Sequence, residues 1–139
     1  MSKWIAQETA GTTSIATTST TDEYMIVKKT GKVTFAGLLS LSGLAAHDSN
    51  YITPTITNLG ADGSGSTAIL AASDANTTKA TGGALLTANV VREWDLHATA
   101  ANLNVTEGDV LRLRATATGT LAGAVTRPMW KLVVKTVQR

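Results

Sequence analysis

Residues 101–121, ANLNVTEGDVLRLRATATGTL, constrain the fold more than any other part of this chain. After the turn segment TEGD, apolar and polar residues alternate strictly. The apolar set is Leu111, Leu113, Ala115 and Ala117, and the polar set is Arg112, Arg114, Thr116 and Thr118. Because successive side chains of a strand point to opposite faces, the pattern predicts a strand with one buried and one solvated face. Such strands are typical of antiparallel sandwiches and barrels.

An alternative interpretation of the same stretch makes Thr106 the N-cap of a helix with acidic residues in its first turn. The following run ATATGT favours the strand. Threonine and glycine are poor helix residues, whereas they suit strands and turns.

Length and composition limit the classes of protein to consider. The 139 residues are enough for one domain with its own core, and the absence of cysteine excludes disulfides. With 12 Lys and Arg against 10 Asp and Glu, the net charge of +2 does not indicate a nucleic-acid partner. The N-terminal sequence has no apolar signal region, and no run approaches the roughly 18 apolar residues of a membrane span. We therefore expect a soluble protein made in the cytosol, with no membrane or nucleic-acid partner.

Residues 1–21 are predicted to form an extended N-terminal arm, and residues 22–139 a β-sandwich domain. Between Glu8 and Thr21 the chain has almost no large apolar side chain, so it cannot bury enough surface to offset the ordering of its backbone. Two interpretations stay open. The segment is either a frayed terminus or an arm that orders against a partner, with Trp4 and Ile5 as anchors.

Alternation and turn signals predict further strands at residues 24–28, 32–41, 51–59, 67–72 and 129–137, with polar loops at 60–66 and 74–83. In the second of these strands one face is predicted to carry Val33, Phe35, Gly37, Leu39 and Leu41, with Gly37 as a bulge. Pro54 cannot donate to a strand ladder, which places its strand at an edge or the proline at a bulge.

Residues 85–97, LLTANVVREWDLH, are the most ambiguous segment. They follow the strand period but would also make an acceptable helix. Neighbouring strands and the preceding glycines favour a strand. The total of seven or eight strands without a convincing helix predicts an all-β protein, an antiparallel β-sandwich.

The titratable residues give little support for catalysis or metal binding. There is no cysteine nucleophile, and no Gly-x-Ser-x-Gly segment accompanies the two histidines. Asp95 and His97 could share a metal on one strand face, with His47 and Asp48 as the source of further ligands. Two ligands do not make a site, so a surface polar pair is favoured. We expect no enzyme activity, no cofactor and no metal site.

Two groups of cations stand out instead. Lys28, Lys29 and Lys32 surround one turn, and Arg112 and Arg114 share a strand face. Such charges can be solvated edges that discourage strand aggregation. They can also form a cationic patch for an acidic protein surface. Both interpretations stay open.

Residues 35–114 resemble a recurrent type of structural protein from tailed bacteriophages. The resemblance lies in an opening hydrophobic strand, in TNLGADGSGSTAIL, in a polar loop and in AANLNVTEGDVLRLRATATG. Proteins of this pattern resemble small β-sandwich capsid decoration, or cement, proteins that assemble as trimers on the capsid lattice. The run VTEGDVLRL is also similar to the late strands of trimeric jelly-roll domains of the tumour-necrosis-factor-like and C1q-like class.

The resemblance implies a jelly-roll-like sandwich that forms a homotrimer and binds the major capsid protein on the outside of a phage head. We expect it in the virion, with threonine- and alanine-rich strand faces forming the trimer seam. The residues predicted to contact the capsid are Trp4, Ile5, Lys28, Lys29, Lys32, Arg112 and Arg114. The alternative is a tail or fibre domain that recognises a receptor or glycan through exposed aromatic side chains.

Overall fold

Nine strands form two antiparallel sheets in the computed structural model, which describes residues 2–11 and 13–138. The strands are β1 (Ser2–Gly11), β2 (Thr20–Ile26), β3 (Gly31–Leu39), β4 (Tyr51–Asn58), β5 (Thr67–Ala68), β6 (Arg92–Glu93), β7 (Asn104–Val105), β8 (Val110–Thr118) and β9 (Met129–Gln138). Two short 3₁₀ helices span Asp74–Asn76 and Ala100–Leu103. Among the described residues there is no α-helix, so the predicted all-β class is confirmed.

The strand order is that of a jelly roll. The first sheet runs β1-β9-β3-β6, with β7 also pairing β3, and the second runs β2-β8-β4-β5. Four of the strand pairs are nested one inside the next, as in one long hairpin: β1 with β9, β2 with β8, β3 with β6 and β4 with β5. Rolling up such a hairpin gives the remaining pairs, β9 with β3 and β8 with β4. The predicted antiparallel, jelly-roll-like sandwich is confirmed.

The core lies between the two sheets and follows the alternation of the long strands. In β8, Leu111, Leu113 and Ala115 are buried, as the sequence predicts. In β9, Trp130 and Leu132 are buried on the same face. The segment Thr106 to Asp109 is a turn and not a helix start, because Gly108 has φ +93° and the Asp109 carboxylate accepts the Thr106 N–H.

Strand β3 contains a bulge that the sequence analysis placed wrongly. Val33 pairs with Val134 but Phe35 pairs with Val133, so Thr34 is the extra residue. A one-residue shift turns every following side chain to the other face. Ala36 and Leu38 therefore point into the core, where they are buried. The prediction that one face carries Val33 together with Phe35, Gly37, Leu39 and Leu41 is wrong.

Gly37, the residue predicted as the bulge, has a different role. It pairs regularly with Lys131 on one side and Glu93 on the other. A Cβ at this position would lie 2.8 Å from the Arg92 carbonyl oxygen and 3.0 Å from Cγ1 of Val91. Glycine is needed here because another segment crosses close to the strand.

The prediction of a strand over residues 85–97 is largely wrong, and the helix alternative is absent as well. Only Arg92–Glu93 pair as a strand, against β3. Leu86 and Leu96 make single bridges to Leu44 and Leu70. A tight turn precedes β6, with Asn89 at φ +62°. The apolar side chains that suggested a regular element are anchors of an irregular segment.

The N-terminal segment is extended, as predicted, but over Ser2–Gly11 it is not a free arm. Strand β1 pairs with β9 along all ten residues. Farther on, Ile15 is buried and exchanges backbone hydrogen bonds with Val125. Hydrogen bonds to β9 satisfy the backbone of a segment that has few apolar side chains. The division of the chain at residue 21 is therefore not visible in the strand pairing.

Pro54 and the 51–58 strand agree with the prediction. Ile52 donates its N–H to Oγ1 of Thr78 and accepts from the Thr78 N–H, both on the side of β4 away from β8. Pro54 lies two residues on, so its nitrogen faces the same side. Because β5 pairs only with Thr57 and Asn58, the proline interrupts no ladder.

Candidate interaction surfaces

The lysines predicted to contact a partner gather at one end of the first sheet. We define the lysine end as Lys28, Lys29, Lys32 and Lys135. The Lys28 side chain is 78% exposed, and its ammonium lies 3.9 Å from the Glu8 carboxylate. Lys32 is exposed and lies directly opposite Lys135 in the β3–β9 ladder. This end of the sheet therefore carries several positive charges close together.

The N-terminal strand reaches the same end. Ile5 is the β1 partner of Lys135, so Ile5, Lys135 and Lys32 form one row across three strands. Trp4 is level with Thr136. The side chains of Trp4 and Ile5 lie outside what the structure describes, and their contact with a partner stays a prediction. The backbone pairing nevertheless brings two separately predicted contact regions together.

The two arginines lie on the outer face of the second sheet, so the structure does not unite them with the lysines. Arg114 forms a bidentate pair with Asp22, with Nε 2.7 Å from Oδ1 and Nη2 2.9 Å from Oδ2. The Arg114 guanidinium is therefore already paired with a carboxylate of the same chain. Nε of Arg112 is buried and has no hydrogen-bond partner among the described residues.

The Asp22–Arg114 pair makes stability depend on pH. Hydrogen bonds from Arg114 hold the pKa of Asp22 below its usual value. A depressed folded-state pKa adds stability above the unfolded pKa of about 3.9, and this stability is lost as the pH falls through the folded value. We expect Asp22→Asn to cost about 1 kcal/mol or less at pH 7 and almost nothing near pH 2. Urea denaturation of both proteins across this range measures the difference, and a cost independent of pH would contradict the assignment.

An exposed apolar surface, which the sequence analysis missed, lies at the opposite end of the first sheet. We define the apolar end as Leu39, Leu41, Val90, Val91 and Met129. Four of these side chains are strongly exposed: Leu41 50%, Val90 54%, Val91 38% and Met129 42%. Leu39 is half-buried and pairs with Met129 on the outer face. The bulge at Thr34 places Leu39 and Leu41 there.

A concavity of about 450 Å³ lies within this end, lined by Leu39, Leu41, Arg127 and Met129. The sequence does contain one signal for it. From Phe35 onward β3 has apolar residues at both odd and even positions, as FAGLLSL shows. A strand with one buried and one solvated face has apolar residues at alternate positions only. Apolar residues at the remaining positions indicate that the second face is also covered by protein.

The two histidines considered for metal binding serve local turns, and Asp48 joins two loops. Nδ1 of His47 accepts the N–H groups of Ser49 and Asn50, and Nδ1 of His97 accepts that of Thr99. Asp48 accepts both the N–H and the hydroxyl of Thr81. Within the described part of the chain, no three His, Cys, Asp or Glu side chains lie close enough to hold a metal.

Comparison with known proteins identifies no relative. No family model, no curated protein and no solved structure matches this chain. Among residues 2–11 and 13–138, no helix is long and apolar enough to cross a membrane.

Proposed function

We propose that this chain is a virion structural protein, a homotrimeric decoration protein that binds the outer surface of a bacteriophage capsid. The observation that carries the proposal is the division of the first sheet into a cationic end and an apolar end. The apolar end suits packing against other protein chains. The lysine end suits the acidic surface of a capsid subunit.

The proposed action is mechanical. Each trimer would bury surface across several capsid subunits, so separating those subunits would also require breaking the trimer's contacts. Three linked binding sites hold the capsid more strongly than one, because the second and third contacts form within the same complex. The jelly-roll strand order supports this proposal, since the resemblance in sequence implies the same fold.

The alternative of a glycan- or receptor-binding tail domain has less support. That function would use exposed aromatic side chains as stacking platforms. Trp94 and Trp130 are 1% and 2% exposed, so both belong to the core. Tyr51 is partly covered by Lys79, whose ammonium lies 5.0 Å from the ring centroid. Tyr24, 58% exposed, is the one strongly exposed aromatic side chain among the described residues, and a single ring does not make a platform.

Co-sedimentation with undecorated heads of the encoding phage tests the function. We expect the wild-type protein to pellet with the heads. The double variant Lys28→Glu and Lys32→Glu should bind about tenfold more weakly or worse at physiological salt, because it places acids against an acidic surface. Light scattering should give the mass of a trimer.

Lys79→Glu is the matched control, since Lys79 lies in the loop after the first 3₁₀ helix, where it contacts Asp74 and Tyr51, and circular dichroism checks that the variant stays folded. It is compared with Lys32→Glu alone, so that each variant changes one charge. A wild-type protein that stays in the supernatant would contradict the capsid function. Equal losses for Lys79→Glu and Lys32→Glu would show that the lysine end is not the contact.

A further inference from the structure

We infer that the apolar end is the seam at which copies of this chain associate. This inference rests on the proposed function for the number of copies, which is three. Whether copies associate at all can be measured on the purified protein alone. The sequence pattern predicts the seam on threonine- and alanine-rich strand faces, and the apolar end is a surface better suited to it.

Three distant segments converge to build the apolar end. Leu41 donates its N–H to the Thr126 carbonyl at 3.1 Å, which joins the end of β3 to the chain before β9. Asn89 donates its N–H to the Ser40 carbonyl at 2.8 Å, which joins the turn before β6 to the same place. These bonds bring Val90, Leu41 and Met129 to one side of the molecule. Backbone hydrogen bonds therefore hold these exposed apolar side chains next to one another in one defined surface.

Scattered exposed apolar side chains are normal, but a contiguous group marks an interaction site. Of the seven large apolar side chains that are strongly exposed among the described residues, four belong to the apolar end. The concavity between Leu39, Leu41 and Met129 can accept a side chain from outside. Val90 lies at a tight turn beside it, because its N–H bonds the Thr87 carbonyl.

Charges on two sides of the apolar end indicate what covers it. Glu93 is exposed and level with Gly37 on β3. On the β9 side, Arg127 is exposed and lines the concavity beside Met129, and Lys131 lies level with Gly37. None of these three side chains forms a salt bridge within the part of the chain that is described.

An apolar surface with an acid, Glu93, on one side and two bases, Arg127 and Lys131, on the other is complementary to a copy of itself. The Arg127 side of one copy can meet the Glu93 side of the next, and in a ring of copies each chain uses both sides. A uniformly acidic partner would be repelled at Glu93. The lysine end lies at the other end of the same sheet, away from the seam.

Sedimentation equilibrium across a concentration series tests the seam. We expect the wild-type protein to associate, and Leu41→Asp and Met129→Asp each to weaken association at least a hundredfold, because each buries a charge in an apolar contact. Ile26→Asp is the matched control: Ile26 is equally apolar and 63% exposed, but it lies on the edge strand of the second sheet. Thr53→Asp tests the threonine-rich face in the same way.

Charge reversal tests the arrangement of the copies. Arg127→Glu and Glu93→Arg should each weaken association by a few-fold to tenfold, since each puts like charges together. The variant with both changes should recover to within about twofold of wild type. Two independent losses that add would show that the two residues do not meet.

A cysteine label gives a measurement that does not depend on a disruptive variant. Because the chain has no cysteine, Leu41→Cys and Ile26→Cys each provide one thiol. The thiol at position 41 should react with maleimide at least tenfold more slowly in the associated protein than after dilution, while the thiol at position 26 should not change.

The outcomes separate this inference from the proposed function. A monomer at all concentrations, or dissociation by Ile26→Asp or Thr53→Asp but not by Leu41→Asp, would overturn the seam. A dimer that depends on Leu41 would support the seam and contradict the trimer. A trimer that depends on Leu41 but does not bind heads would support the seam and contradict the capsid function.

Discussion

Leu38→Asp is expected to unfold most of the protein at room temperature. The bulge at Thr34 turns Leu38 into the core, where it is 1% exposed, although the alternation of the sequence predicts the solvated face for it. Loss of the buried leucine costs about 2–5 kcal/mol, and an unpaired carboxylate in an apolar core adds to this cost. The total approaches the roughly 5–15 kcal/mol of an ordinary domain. Circular dichroism and urea denaturation would measure the loss.

Thr34→Asp is the control, because it introduces the same charge into the same strand at the exposed residue of the bulge. The Thr34 hydroxyl lies 3.5 Å from the Val133 carbonyl oxygen, at the limit of a hydrogen bond. We expect a change of about 0.5 kcal/mol or less. A Leu38→Asp variant as stable as the wild type would show that the bulge does not place Leu38 in the core.

Strand faces were predictable from the sequence wherever the pairing is regular. In β8 and β9 the two-residue period runs without interruption, and Leu113 and Leu132 lie in the core as expected. In β3 the period continues in the sequence while the bulge reverses it in space. The alternation of apolar and polar residues predicts the direction of each side chain only if the strand is regular. A bulge changes the pairing with β9 without changing the sequence pattern, so the pattern does not predict it.

The candidate surfaces divide in the same way. Lys28 and Lys32 were predictable, because charged side chains around a turn stay at the surface wherever the turn lies. For the apolar end, the local pattern FAGLLSL indicates only that both faces of β3 are covered, and it does not predict the surface as a whole. That surface requires Leu41, Asn89 and Thr126 to meet, and the backbone hydrogen bonds that join them span up to 85 positions of sequence.

The irregular residues 85–97 show a further limit of local patterns. The strand period predicts that Arg92 shares one face of a regular strand with Val90 and Trp94. In the structure its guanidinium binds three carbonyl oxygens, those of Ala84 at 2.6 Å, Ala75 at 2.8 Å and Thr77 at 2.9 Å. It also lies over the Trp94 ring, 4.8 Å from the centroid. A side chain thus organises loops that have no strand ladder.

Arg92→Met is therefore expected to destabilise the protein by about 3 kcal/mol. The variant keeps most of the apolar contact with Trp94 but removes three charge-assisted hydrogen bonds, each worth about 1.5–3 kcal/mol before the cost of desolvation is counted. That cost is real, since burial lowers the pKa of Arg92. Denaturation of the variant and wild type in urea gives the difference in the free energy of unfolding.

Two further variants show whether the effect comes from the guanidinium. Arg92→Lys should recover less than half of the loss, because one ammonium cannot reach three carbonyls that a planar fork spans. Arg112→Met is the matched control: it removes an arginine whose buried Nε has no partner among the described residues, so we expect a change within about 1 kcal/mol. If both methionine variants cost the same, the three carbonyls do not depend on Arg92. If only Arg92→Met is costly, one side chain of an irregular segment stabilises the loops that carry Ala75, Thr77 and Ala84.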